Sequence, residues 1–195
     1  MYSFNQLKYA LNIVQDELIE HNFFDLKLSK IDVIWVPYGS AYGFQKYYST
    51  GEIVIPCLSK AKFIELFSSP YVSLKDILRH EYAHAFAFTH KKLLKVKEFK
   101  IAFGANHDNT NHIHEFTSEL FISEYAATNA MEDFAETFMY YLEYGGKLPK
   151  KYKSETIKIK WHFIKQLSAK MKIYNQNKSI TAHSPAYTSN NDTKT

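Results

Sequence analysis

The run His80-Glu81-Tyr82-Ala83-His84 constrains this chain more than any other stretch, because its side chains converge only if the backbone is helical. Residues four apart on a helix lie about 40° apart around the axis and one turn apart along it. Two imidazoles at that spacing can reach one ion, and the glutamate between them projects alongside. The flanking sequence supplies the helix. It is expected from about Ser73 to His90, with Ser73 as N-cap and Asp76 three residues on, in the manner of a weak capping box. A zinc ion held there lowers the pKa of its bound water to about 7, and Glu81 is placed to take the proton. The plainer alternative is a pair of packed, hydrogen-bonded histidines on a core-facing helix.

A catalytic zinc normally takes three protein ligands and leaves its fourth position to water. Downstream, Glu132-Asp133-Phe134-Ala135-Glu136 opens a second expected helix, from residue 129 to 144, which Gly145-Gly146 ends. Glu132 and Glu136 are again four apart and share a face. Glu132 is a candidate third ligand. Glu136, one turn on, is a candidate acceptor for the second ring N–H of a liganding histidine. Glu132 also has a local role open to it: with Asn129 as N-cap, it stands at the N3 position of a capping box.

The rest of the chain sets these helices in an α+β frame. Phe4, Leu7, Leu11, Val14, Leu18 and Ile19 form a three-four apolar repeat and predict a first helix over residues 4 to 21. The β-branched run 31–36 predicts a strand, with further strands over Tyr42–Tyr48 and Glu52–Pro56 and a turn at Ser49-Thr50-Gly51. A short helix is expected over Ser59–Phe67, ended near Pro70. Residues 91–103 are Lys-rich, 104–114 read as a polar loop, and a last helix is expected from about Ser154 to Tyr174. This order of helix, small sheet and helices excludes a parallel βαβ fold. Residues 1–174 are expected to form one domain. The Asn-, Ser-, Thr- and Lys-rich stretch 175–195 is expected to be a disordered tail.

Composition narrows the function classes. No apolar run reaches the roughly 18 residues of a membrane span. The N-terminus lacks a basic start followed by an apolar block, so no secretory signal peptide is expected. Cys57 is the only cysteine, which excludes an intramolecular disulfide and a thiolate-rich metal site. It fits a cytoplasmic protein and equally one secreted by a route without a classical signal. The net charge of +4 comes almost wholly from lysine, Arg79 being the one arginine. Lysine lacks the bidentate fork that favours phosphate and base recognition, so nucleic acid is a disfavoured partner.

HExxH followed by a tyrosine and then ExxAE on a helix resembles the gluzincin metallopeptidases, notably the catalytic domain of anthrax toxin lethal factor and a group of bacterial zinc-binding metallopeptidases. The resemblance spans roughly residues 73 to 145. It implies a zincin-like fold, with a small mixed or antiparallel sheet packed against the HExxH and ExxAE helices. It implies one Zn2+ per chain bound by His80, His84 and Glu132, Glu81 as catalytic base, and a protein or peptide as substrate, cleaved internally. It further implies that Tyr125, seven residues before Glu132, donates its phenol to a developing oxyanion. Relatives commonly carry HPxEDWAE, where Asn129-Ala130 and Phe134 stand here; the ligand positions are unaffected. Oligomeric state is left open by the sequence.

Three other arrangements compete. His90 follows His84 by six residues, as the third histidine of metzincins does, but Ala87 stands where those enzymes need a helix-ending glycine. On a continuous helix His90 points about 240° away from His84. His107, His112 and His114 with Asp108 could form a non-catalytic metal site on the polar loop. Finally, the runs Lys91, Lys92, Lys95, Lys97, Lys100 and Lys147, Lys150, Lys151, Lys153 could serve a binding module for nucleic acid, an anionic membrane face or an acidic protein. An extended substrate is expected to add to the sheet edge along Tyr42–Tyr48.

Overall fold

A computed structural model of the chain describes residues 2–36, 42–47, 50–67, 73–107 and 115–182. The first helix, α1, covers Phe4–Glu20. A reciprocal capping box starts it: Ser3 Oγ accepts from the Gln6 amide at 3.3 Å, and the Ser3 amide donates to Gln6 Oε1 at 2.8 Å. Leu7, Ala10, Val14 and Leu18 form its buried face. Phe4 and Ile19, expected on that stripe, are exposed. Phe4 projects from the first turn beyond the packing surface, and Ile19 lies about 100° around from Leu18.

Three strands follow: β1 (Asp32–Val36), β2 (Gly43–Tyr47) and β3 (Thr50–Pro56), in the order β1-β3-β2. β1 runs parallel to β3 and β2 antiparallel to it, so the sheet is mixed. Thr50 and Gly51, expected in a turn, already belong to β3, opposite Tyr47 and Lys46; Ser49 lies outside the described residues. Gly51 is required there, because a Cβ would come within 2.6 Å of the Phe44 ring. Central β3 buries Ile53, Val54 and Ile55, while β2 is left as an edge.

The remaining helices are α2 (Lys60–Phe67), α3 (Leu74–Thr89), α4 (Lys91–Leu94), α5 (Lys97–Phe103), α6 (Ala130–Glu143) and α7 (Glu155–Ala182). Pro70, the expected stop after α2, lies outside the described residues. Ser73 caps α3, but the box with Asp76 is not reciprocal: the Ser73 hydroxyl itself donates to Asp76 Oδ2. Asp76 Oδ1 instead pairs with Arg79 at 2.6 Å. Buried Arg79 also grips both carboxylate oxygens of Glu17, at 2.6 and 2.7 Å, and so ties α1 to α3. The last helix runs on to Ala182 rather than stopping at Tyr174, since nothing between the two breaks a helix. No helix among the described residues is long and apolar enough to cross a membrane.

α3 packs on the sheet on one side, on α1 on another, and along α6 on a third. The aromatics Phe23, Phe86, Phe134 and Phe138 fill the space between them, with ring centroids 4.6–5.8 Å apart. This single α+β core fixes α3 and α6 side by side, and the functional side chains project from those two helices.

Candidate metal centre

His80 and His84 leave α3 on one face, as their spacing requires, and Glu132 meets them from the first turn of α6. His80 Nε2 lies 3.0 Å from His84 Nε2 and 3.1 Å from Glu132 Oε2; His84 Nε2 is 3.3 Å from the same oxygen. Four-coordinate zinc with bonds of about 2.0–2.1 Å separates its ligand atoms by roughly 3.3 Å. The three atoms therefore outline one face of a tetrahedral site. Glu132 Oε2 is buried and faces only these two imidazole nitrogens, with no further hydrogen-bond partner. Within the described residues, this is the one cluster of three or more such groups that could hold a metal ion. The donor set of two imidazoles and one carboxylate suits zinc.

The local alternative for Glu132 does not form. Asn129 Oδ1 alone accepts from the Met131 and Glu132 amides, at 2.9 and 3.0 Å, and the Glu132 carboxylate is left free for the histidines. Burial works against its charge, but His80 and His84 beside it hold the carboxyl well below the usual carboxylate range.

Glu136, buried one turn further along α6, lies behind His80: its Oε1 is 2.9 Å from His80 Nδ1. Its other oxygen accepts from the Ser123 hydroxyl at 2.6 Å, and Ser123 Oγ accepts from the Ala126 amide at 3.1 Å. A ring N–H held in this way fixes the tautomer and aims Nε2 at the ion. Burial opposes a charge on His80, yet Glu132 and Glu136 raise its pKa well above that of an ordinary histidine. Without a metal, these carboxylates favour the protonated imidazole.

Glu81 projects from α3 about 100° around from His80, toward β2. It is buried, and its Oε2 accepts from the Phe44 amide at 2.7 Å. Gly43 makes room for it: a Cβ there would meet the Glu81 carboxylate oxygens at 3.2 and 3.3 Å, and its φ of 84° is in the left-handed region. Tyr125 opens a short 3-10 turn, Tyr125–Thr128, packed on α6. Its ring centroid is 5.6 Å from that of His80, and it is half exposed. Burial of the phenol and the surrounding Glu132, Glu81 and Glu136 push its pKa up, so it stays protonated and able to donate.

The family described as "Putative zinc-binding metallo-peptidase" matches residues 58–183 of the chain. The chain belongs to that family. No curated protein and no solved structure matches it. The matched region contains α3, α6 and every residue of the cluster, and it begins after the sheet, so the edge strand that touches Glu81 lies outside the match.

His90 does not join the cluster. It caps the end of α3, buried, with Nε2 at 3.2 Å from Asp25 Oδ2, Nδ1 at 2.9 Å from Thr89 Oγ1 and its ring stacked on Phe86. His107 packs edge-on against Phe99. Asp108, His112 and His114 lie outside the described residues. Sequence reasoning passed over Ser123 and the Phe44 amide. Neither carries a local signal, because the partner of each is remote in the chain.

Proposed function

We propose that the protein is a zinc-dependent peptidase of the gluzincin type, with one zinc per chain held by His80, His84 and Glu132. The triangle formed by His80 Nε2, His84 Nε2 and the buried Glu132 Oε2, 3.0–3.3 Å apart, supports this reading. Zinc at that position supplies a Lewis acid that makes water acidic enough to lose a proton near neutral pH. Glu81, held by the Phe44 amide, is the base that takes this proton and returns it to the departing amine. Glu136 and Ser123 hold His80 in the ligating tautomer. Tyr125 donates its phenol proton in a hydrogen bond to the oxyanion that forms as the peptide carbonyl becomes tetrahedral. An extended peptide pairs with the outer edge of β2, which no other strand covers among the described residues, beyond the Phe44 amide held by Glu81.

The test is metal analysis and casein hydrolysis on wild type, Glu81→Gln and Glu132→Ala. One zinc per wild-type chain, weakened sharply in Glu132→Ala, supports the ligand set. Glu81→Gln is expected to keep its zinc and lose hydrolysis by at least about a hundredfold, the range of general acid–base catalysis. A Glu81→Gln chain that cleaves at the wild-type rate removes the base. A wild type that binds zinc but cleaves nothing leaves a non-catalytic zinc protein.

A further inference from the structure

Lys160 is the one buried lysine among the described residues. It occupies a core position of α7, with Ile157, Trp161 and Ile164 around the helix on one side and Phe163 on the other, all buried apolar residues. An apolar side chain would fill that place at lower cost, since burying an ammonium group costs several kcal/mol even after relaxation. The charge needs a reason other than packing.

Its contacts supply one. Lys160 Nζ pairs with Asp133 Oδ2 at 2.5 Å, donates to the Leu120 carbonyl, and sits 4.5 Å above the Phe121 ring. Asp133 directly follows Glu132 in the first turn of α6. Leu120 and Phe121 begin the segment that leads to Ser123 and Tyr125. A second tie comes from the start of the same helix: Ser154 Oγ donates to the Glu119 carbonyl at 2.5 Å. At its far end the segment is fixed by Ser123 on Glu136. The wall of the site is thus pinned at both ends, and one pin reaches back to a helix that contributes no ligand.

We propose that Lys160 is a positioning residue: its buried ammonium clamps the 120–125 segment to the first turn of α6, and so sets where Ser123 and Tyr125 stand relative to the His80–His84–Glu132 cluster. The catalytic consequence rests on the peptidase reading; the clamp itself does not. Lys160 touches neither ligand nor substrate. It acts through the backbone of a segment that has no regular secondary structure between residue 115 and Tyr125. Such a segment lacks a hydrogen-bond ladder, and its position depends on point contacts.

The experiment uses the full chain as wild type, Lys160→Met and the double variant Asp133→Asn/Lys160→Met. Neutralising both partners removes the unpaired buried charge, so the double variant separates loss of fold from loss of position. Hydrogen exchange is followed at the Phe121–Ala127 amides and at those of α3, together with hydrolysis of labelled casein and the unfolding midpoint. Both variants are expected to exchange about tenfold faster across Phe121–Ala127 while α3 keeps its protection. Turnover is expected to fall about tenfold to a hundredfold, with KM within about twofold, as for a misplaced catalytic group. The double variant should regain the wild-type midpoint and neither of the other two properties. Recovery of exchange and turnover along with the midpoint would make Lys160 merely structural and overturn the proposal, as would unchanged exchange in Lys160→Met. If the wild type does not cleave casein but the exchange pattern holds, the clamp stands and the peptidase reading falls.

Discussion

Glu136 offers a sharp perturbation, because its two oxygens do two separable things. Oε1 faces His80 Nδ1 at 2.9 Å, and Oε2 accepts the Ser123 hydroxyl at 2.6 Å. In Glu136→Gln the amide oxygen can keep the His80 contact while the NH2 group turns to Ser123. Ser123 Oγ already accepts from Ala126, but a hydroxyl oxygen has a second lone pair to offer. The His80 contact survives, while the negative charge and the acceptor for the Ser123 hydroxyl proton are lost. Zinc affinity should then fall about tenfold, the lower end of what removing such a partner costs, or about 1.4 kcal/mol. Glu136→Ala removes charge and contacts together, and the expected loss is about a hundredfold, near 2.8 kcal/mol. It also strands the buried Ser123 hydroxyl, at about 1–3 kcal/mol of folding stability. One effect runs the other way. Glu136 helps keep a proton on His80, which zinc must displace, so its removal eases competition from acid. The titration against a chromophoric chelator is therefore best run at about pH 8 or above, where that competition is weakest. If Glu136→Ala binds zinc within about twofold of wild type there, Glu136 does not orient the ligand.

Two further predictions follow from the same geometry. His80 has a raised folded-state pKa in the metal-free protein, against an unfolded value of about 6.5. Its contribution to stability is then complete below about pH 6.5 and is lost as pH rises through the raised value. The unfolding midpoint of the metal-free chain should fall as pH rises from about 6.5 through the raised value, and a midpoint that rises there would remove His80 as the cause. Gly43→Ala introduces a Cβ at 3.2 Å from Glu81 and forces a left-handed backbone on alanine, at about 1–2 kcal/mol. Zinc affinity should stay within about twofold while casein hydrolysis drops at least tenfold, because only the base is displaced; equal losses of both would place Glu81 among the groups that hold the metal.

The legible parts of this protein are those whose cause is local. α3 is readable from Ser73 to its end because cap, apolar spacing and the absence of glycine agree. The same spacing makes His80 and His84 neighbours with no knowledge of the fold. Glu132 was ambiguous for a physical reason: N3 of a capped helix and a ligand pointing out of the first turn are the same position. In the structure Asn129 supplies only its half of the box, accepting the Met131 and Glu132 amides, and the Glu132 carboxylate faces His80 and His84 instead. The turn at Thr50-Gly51 was misread because glycine there answers a crowding by Phe44 across the strand pair rather than a need to turn. Ser123, the Phe44 amide and Lys160 were invisible for a common reason. Each acts on a partner 13 to 40 residues away, and no periodicity records such a contact.

The acid residues around His80 explain why the cluster is sensitive to what fills it. Glu132 and Glu136 touch the imidazole, and Glu81 acts on it through space. Carboxylates around two histidines make the metal-free site an excess of buried negative charge, and water can screen little of it because these side chains are largely buried. The raised pKa of His80 is the response: a proton occupies the imidazole and offsets part of that charge. A divalent ion would offset more, and Glu132 Oε2 would be one of its ligands beside the two imidazoles. Proton and metal are therefore rivals for one electrostatic role. Zinc binding at this site would compete with a proton on His80, and the same carboxylates that attract the ion would make its affinity fall with acidification.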